Sequence, residues 1–289
     1  MKTDIKKYNF KKELHLQIEV IVLQTLISKH RSSITIPHRT NFYHIFLFEN
    51  CRPTHTVDFN PIKVKPRSML FVNKDNVHLF DKSSTYQGKV LIFTDDFFCQ
   101  TENDRAFLHS TILFNDLLSV SAIQLKARHK EFAGMFDAIE NELKNEADNN
   151  QYAMLQNMVH NLLLAAERVK RRQGFLELKK GADLDYTVLF KELVNEKYDM
   201  LKSVGHYAKL LSVSEKRLNQ ATTKILGKTP KQMIDERVLL EAKRLLNHTH
   251  LSIKEIGFAL GFEEPTNFIK YFRKHTAKTP AEFRESLPL

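Results

Sequence analysis

The chain has 289 residues, enough for about two domains with a core in each. Lys and Arg total 44 against 34 Asp and Glu, a net charge of +10 that favours polyanionic partners, with DNA first. The two cysteines, Cys51 and Cys99, exclude a disulfide framework and a cysteine-spaced zinc motif, and they fit a reducing cytoplasm.

The opening MKTDIKKYNFKKELH is basic but lacks the apolar core and small-residue cleavage site of a signal peptide. Ile18–Ile27 is apolar, yet it contains Glu19, Gln24 and Thr25 and is too short to span a bilayer. It is expected to be a buried strand, and no membrane partner is expected. From Ile34 to Phe98 short apolar runs alternate with polar breaks. Phe42–Phe48, Thr54–Phe59, Ser68–Val72, Val77–Phe80 and Lys89–Phe93 have strand length and strand composition. Pro37, Pro53, Pro61 and Pro66 are expected between strands, and the whole reads as a small antiparallel barrel or jelly roll.

This segment holds His38, His44, His55 and His78, but no His-x-His pair with a following Glu, so no metal and no other cofactor is expected. A barrel can instead enclose an apolar molecule. His38, Arg39, Phe42, Phe46, Phe80 and Phe93 are the candidate lining for a small, partly apolar effector, with Arg39 suited to an acid group.

After Leu125 the periodicity becomes helical. Phe132, Met135, Phe136, Ile139 and Leu143 follow one stripe, and residues 147–150 break it. A second stripe carries Leu155, Met158, Val159, Leu162, Leu163, Ala166 and Val169, wide enough to serve both the core and a partner. Leu155, Met158, Leu162 and Leu163 are the candidate homodimer interface. The basic run that follows, with Arg171, Arg172, Lys179 and Lys180, reads as a tether. The expected division is a sensing and dimerisation domain at 1–175, a linker at 176–184 and a DNA-binding domain at 185–289.

In the last third one pattern occurs twice, Val204–Pro230 and Ile253–Pro280, each ending in Lys-Thr-Pro. Each copy is a short apolar-periodic segment, a tight break and a longer basic segment, the form of a helix-turn-helix. Ser214 is a good N-cap for a helix beginning at Glu215, and Gly261 suits a turn with positive φ. The candidate base readers are Lys216, Arg217, Asn219 and Gln220 in the first copy and Thr266, Asn267 and Lys270 in the second. These are the residue types that match base edges. Ser214, Arg273 and Lys274 are the candidate phosphate contacts. A helix opened by Pro230 joins the copies and fixes their spacing. No catalytic residues are expected.

Residues from about 186 to 286 resemble the paired helix-turn-helix domain of the AraC/XylS family of bacterial transcription regulators. The resemblance rests on IKEIGFALGFEEPTNFIKYFRKHTAKTPAEFR, with Gly261, Phe262, Phe272–Lys274, Thr279 and Pro280, and on Ala208, Leu211, Ser214 and Leu218 in the first copy. The segments IPHRTNFYHIFLF, PRSMLFVNKDNVHLF and GKVLIFTDDFF resemble the cupin-like sensing domain of such regulators, with Arg67-Ser68 in place of its glycine-containing turn. The resemblance implies an α+β chain: an N-terminal cupin-like antiparallel β-barrel with two helices, then an all-α domain with two helix-turn-helix motifs joined by a long helix. It implies a cytoplasmic, nucleoid-associated regulator of transcription, an activator in contact with RNA polymerase and not an enzyme. Two competing readings are a cupin-type metalloenzyme fused to a DNA-binding domain and a regulator whose N-terminal domain only dimerises.

Overall fold

The computed structural model describes residues 5–10, 14–114, 120–173 and 181–286. The chain divides into two compact units, Lys6–Glu177 and Leu178–Leu289.

The first unit runs β1 (Lys6–Tyr8), β2 (Ile18–Val22), α1 (Leu23–Ile34), β3 (His38–Thr40), β4 (Tyr43–Phe48), β5 (Thr54–Val57), β6 (Asn60–Lys63), β7 (Ser68–Val72), β8 (His78–Phe80) and β9 (Gly88–Phe93). It continues with α2 (Asp95–Phe98), α3 (Glu102–Ser110), β10 (Ala122–Gln124), α4 (His129–Glu142) and α5 (Gln151–Arg172). The expected strand Ile18–Ile27 is therefore a strand only as far as Val22, and helix α1 follows directly.

The strands form two five-stranded sheets, β1-β3-β8-β5-β6 and β10-β7-β4-β9-β2. Among the described residues these ladders do not join into a ring, so the expected barrel is an open pair of sheets. The β1–β3 pair is parallel, against an otherwise antiparallel pattern. Pro61 lies within β6 rather than between strands. It is tolerated there because β6 is an edge strand, where a missing N–H breaks no interior ladder.

All six residues of β4 and all five of β7 are buried, because the second sheet is covered on both faces. Phe46, Phe48, Leu70, Val72, Val90 and Ile92 turn toward a core shared with Val57 and Phe80 of the first sheet. Tyr43, Ile45, Leu47, Met69, Phe71, Leu91 and Phe93 turn the other way, onto Phe132, Phe136 and Ile139 of α4 and the apolar stripe of α5. The register Phe46↔Val90 and Tyr43↔Phe93 sets this division, since a one-residue slip would exchange the faces.

Two expectations are corrected here. Leu155, Leu162 and Leu163 are fully buried against the chain's own sheet, with half-buried Met158 packed beside them. They are therefore core rather than an open interface. Each stabilises the unit by roughly 1.5–3 kcal/mol through the water-exposed surface it removes. Phe93 lies on the helix side of the second sheet, opposite Phe46 and Phe80, so the six expected pocket residues do not share one lining.

The second unit is helical: α6 (Ala182–Lys197), α7 (Val204–Leu210), α8 (Glu215–Leu226), α9 (Pro230–His248), α10 (Ile253–Ala259), α11 (Pro265–Thr276) and α12 (Pro280–Glu285). Helix α6 begins at Ala182, so the end of the expected 176–184 tether is already helical. Residues 176–180 lie outside the described residues. One apolar cluster gathers Phe190, Val194, Tyr207, Leu218, Ile234 and Val238. A second gathers Ala242, Leu246, Ile256, Leu260, Phe268 and Phe272, and Tyr198 and Phe262 pack against both. Among the described residues no helix is long and apolar enough to cross a membrane.

Candidate nucleic-acid interface

Helices α7 and α8 form the first turn motif, and α10 and α11 the second. Both are built on the same physical framework. Ser212 and Gly261 hold the left-handed turn residue, at φ 54° and 75°. Ala208 and Gly257 are the small residues that let the paired helices approach, and a Cβ at Gly257 would come within 3.3 Å of the Phe268 Cβ. Leu218 and Phe268 are the corresponding buried anchors. Gly227 and Ala277 end the second helices in the left-handed conformation. Thr229 and Thr279 then open the next helices with capping boxes to Gln232 and Glu282, each with proline in the first turn.

The starts of the two long helices differ. The Ser214 hydroxyl oxygen accepts a hydrogen bond from the Arg217 N–H at 3.1 Å. Ser214 is exposed, and its hydroxyl proton is left to donate outward. Helix α11 has Glu264 at the N-cap with no side-chain cap, and Pro265 supplies the helical φ instead.

Burial of one stripe leaves the opposite stripe outward. In α8 Leu218, Ala221 and Thr222 are buried, while Lys216, Asn219, Gln220, Thr223 and Lys224 are exposed. In α11 Phe268 and Phe272 are buried, while Thr266, Asn267, Lys270, Arg273 and Lys274 are exposed. Six of the seven expected base readers thus lie on exposed helix faces, and both expected cationic phosphate contacts do too. Arg217 is the exception. Its guanidinium lies 2.5 Å from Asp183 Oδ1 and sits over the Tyr186 ring, 5.0 Å from its centroid. The second oxygen of Asp183 meets Lys224 Nζ at 2.6 Å. These two cations hold the Asp183 carboxyl below its ordinary range, Lys224 foremost. Asp183, Arg217, Asn219, Gln220, Thr223 and Lys224 together line a shallow open groove along α8. No pairing of Asp183 or Tyr186 with Arg217 was read from the sequence. They are 34 and 31 positions before Arg217, and nothing local marks the pairing.

Helix α9 ties the motifs to each other. Asp235, 7% exposed, accepts from the Tyr271 hydroxyl at 2.8 Å and pairs with Lys231 at 2.7 Å. Glu241 meets Arg237 at 3.1 Å and Arg244 at 2.8 Å, and all three are largely buried. Gly261 is confined by more than its φ: a Cβ there would lie 1.6 Å from the Asp199 carbonyl oxygen. Lys202 brackets the same contact, donating to that oxygen at 3.2 Å and lying 4.9 Å from the Phe262 ring centroid.

In the first unit, the structure gathers the four histidines seen in the sequence. His38, His55 and His78 come from the first sheet and His44 from the facing one, all at most 6% exposed. The rings of His38, His44 and His55 lie 4.4, 4.7 and 5.3 Å from that of His78. His55 Nε2 and His78 Nδ1 share a hydrogen bond of 3.1 Å. His44 Nδ1, His55 Nδ1 and His78 Nε2 have no partner among the described residues. Burial pushes all four pKa values down, that of His55 to about 3, so the rings are neutral at pH 7. Among the described residues no group of three or more His, Cys, Asp or Glu is arranged to hold a metal ion. Of the expected effector lining, Phe42, Phe46 and Phe80 pack in the core between the sheets, with Phe46 edge-on to Phe80 at 5.8 Å. His38 joins the histidine cluster, Arg39 is half-buried, and Phe93 is on the far face.

A family model described as a helix-turn-helix domain matches residues 207–286, the span from α7 to α12. Residues 207–286 of the second unit therefore carry a helix-turn-helix domain of the AraC type. The xylose operon regulatory protein of Haemophilus influenzae is 37% identical over 81 residues, 28% of this chain and 21% of that protein. The transcriptional activator RhaS of Pectobacterium carotovorum is 22% identical over 256 residues, 86% of each chain. This chain spans less than half the length of the first curated relatives it matches, 45%, 21% and 36%. Among solved structures, ToxT from Vibrio cholerae aligns over 94% of this chain and 99% of its own, at 13% identity and a TM-score of 0.44.

Proposed function

We propose that this chain is a sequence-specific DNA-binding regulator of transcription, with α8 and α11 each presented to a major groove. The observation that carries the reading is the doubled motif: two helices in one unit, each following a left-handed turn and each with a buried apolar stripe and an exposed polar, basic one. In this reading Lys216, Asn219, Gln220, Thr266, Asn267 and Lys270 read bases, while Ser214, Arg273 and Lys274 hold phosphates. A genome-wide binding map would supply the site. On that site Gln220→Ala should cost about 1–3 kcal/mol and relax preference at one or two positions. Lys274→Ala should weaken every sequence alike and lower the salt slope by about 1. Equal loss on all sequences from both changes would refute the assignment of readers.

In this reading the chain is an activator that works with RNA polymerase in the cytoplasm, and relatives named as transcription activators support the sign of regulation alone. A reporter fused to a mapped promoter would give the sign of regulation. Self-association, if it uses α5, must use the face opposite the sheet, where Met154 and Leu164 are exposed. No effector is assigned to the first unit, because the phenylalanines expected to surround it pack on one another and on the histidines.

A further inference from the structure

The Asp183 carboxylate holds two cations of the first recognition helix at once. Arg217 stands in the first turn of α8 and Lys224 two turns further on, so both lie on one face of that helix. One oxygen of Asp183 meets the guanidinium at 2.5 Å and the other meets the ammonium at 2.6 Å. Tyr186, one turn along α6 from Asp183, supports the guanidinium from its ring face. The geometry is that of a phosphate contact, with a planar fork and a point charge converging on one anion. The second motif has no such arrangement. Its corresponding residues are Asn267 and Lys274, both exposed, and among the described residues Lys274 has no acidic partner.

We propose that Asp183 occupies the place of a DNA phosphate against Arg217 and Lys224 in the free protein, so that the first motif engages a duplex only by exchanging this carboxylate for the backbone. The proposal rests on the reading that α8 faces DNA. Its consequence is an asymmetric reader. The second motif offers its cations to any duplex, whereas the first gives up an ion pair before it gains a phosphate. Random DNA returns only phosphate contacts, and a cognate site returns base contacts as well. The contact therefore restrains non-specific binding more than specific binding.

The test uses the full chain and a random-sequence 30-base-pair duplex, with binding followed by fluorescence anisotropy from about 50 to 250 mM salt. Asp183→Asn should bind this duplex several-fold more tightly than the unaltered chain at low salt. Its dependence of log K on log salt should steepen by about 1–2, as two released cations require. Asp185→Asn removes the same charge from the same turn of α6 without touching Arg217, and should leave both quantities within about twofold of the unaltered chain. Adding Arg217→Ala and Lys224→Ala to Asp183→Asn should abolish the gain. If Asp183→Asn does not fold by circular dichroism, Asp183→Ser replaces it with the same expectation. Equal behaviour of the Asp183 and Asp185 variants, or weaker binding by the Asp183 variant, overturns the proposal while leaving the DNA-binding reading intact. A chain that binds no duplex at any salt overturns that reading and the proposal with it.

Discussion

In the first unit four imidazoles lie between two sheets, and burial holds them neutral, aided at His44, His55 and His78 by histidine neighbours; among the described residues no carboxylate acts on them. In the second unit the buried carboxylates are matched by partners: Glu241 with Arg237 and Arg244, Asp235 with Lys231 and Tyr271. The reason lies in the elements. A helix brings residues three and four apart onto one face, so α9 can place Arg237, Glu241 and Arg244 within reach of each other. A sheet packed on both faces offers no such local partner. A group buried there is cheaper to keep neutral than to pair. The two units should therefore respond differently to added charge and to acid.

The largest effect expected is that of Leu162→Glu. It removes a fully buried leucine and places an unpaired carboxylate against the second sheet. The cost should be on the order of 5 kcal/mol, enough to unfold the first unit while the second still melts cooperatively. A folded, monomeric variant in sedimentation would instead return Leu162 to an interface. Glu241→Gln comes next. It leaves two largely buried guanidinium groups facing a neutral amide and should cost the second unit roughly 3–5 kcal/mol, read from its melting transition. A loss below about 1 kcal/mol would mean that water, not Glu241, carries those charges.

Acid distinguishes the units most directly. The His55 pKa is about 3 in the folded chain against 6.5 unfolded, so between these values the unfolded state binds more protons. Its contribution to stability is complete above pH 6.5 and is lost as pH falls toward 3. At pH 5 this amounts to roughly 2 kcal/mol for His55 alone, and His38, His44 and His78 act in the same direction. Calorimetry from pH 7.5 to 5 should show the first unit's transition falling much further than the second's. Parallel shifts would contradict the contrast. Smallest of all is Lys228→Ala, which breaks an exposed pair with Glu236 at 2.8 Å. It should change stability by less than about 0.5 kcal/mol.

Helix-turn-helix anatomy was legible because its signals are local. Ser214 and Pro230 mark helix starts through a cap and a fixed φ angle, and Gly261 marks a turn. Ser212 takes the same left-handed turn without a glycine. The strands were legible as strands, but their partners were not. Phe93 was grouped with Phe46 by alternation, while the observed register turns Val90 and Ile92 toward Phe46's side instead. The width of the α5 stripe spoke for a second contact surface, yet the sheet and α4 together account for it. Asp183 was hidden in a stretch read as basic tether, because an ion pair across 34 positions leaves no periodic trace.

Gly261 bears on how the second unit could have arisen and how it melts. The carbonyl of Asp199, in the loop that precedes the first motif, forms one wall of the second motif's turn. Neither motif is a complete tertiary unit, since each borrows a surface from the other through Tyr198, Lys202 and Phe262. Amide hydrogens in α7, α8, α10 and α11 should then exchange through one shared opening event rather than two. A duplicated ancestor with free-standing copies would have lost that independence once this contact formed, and excising either copy now would leave the other with an uncovered side.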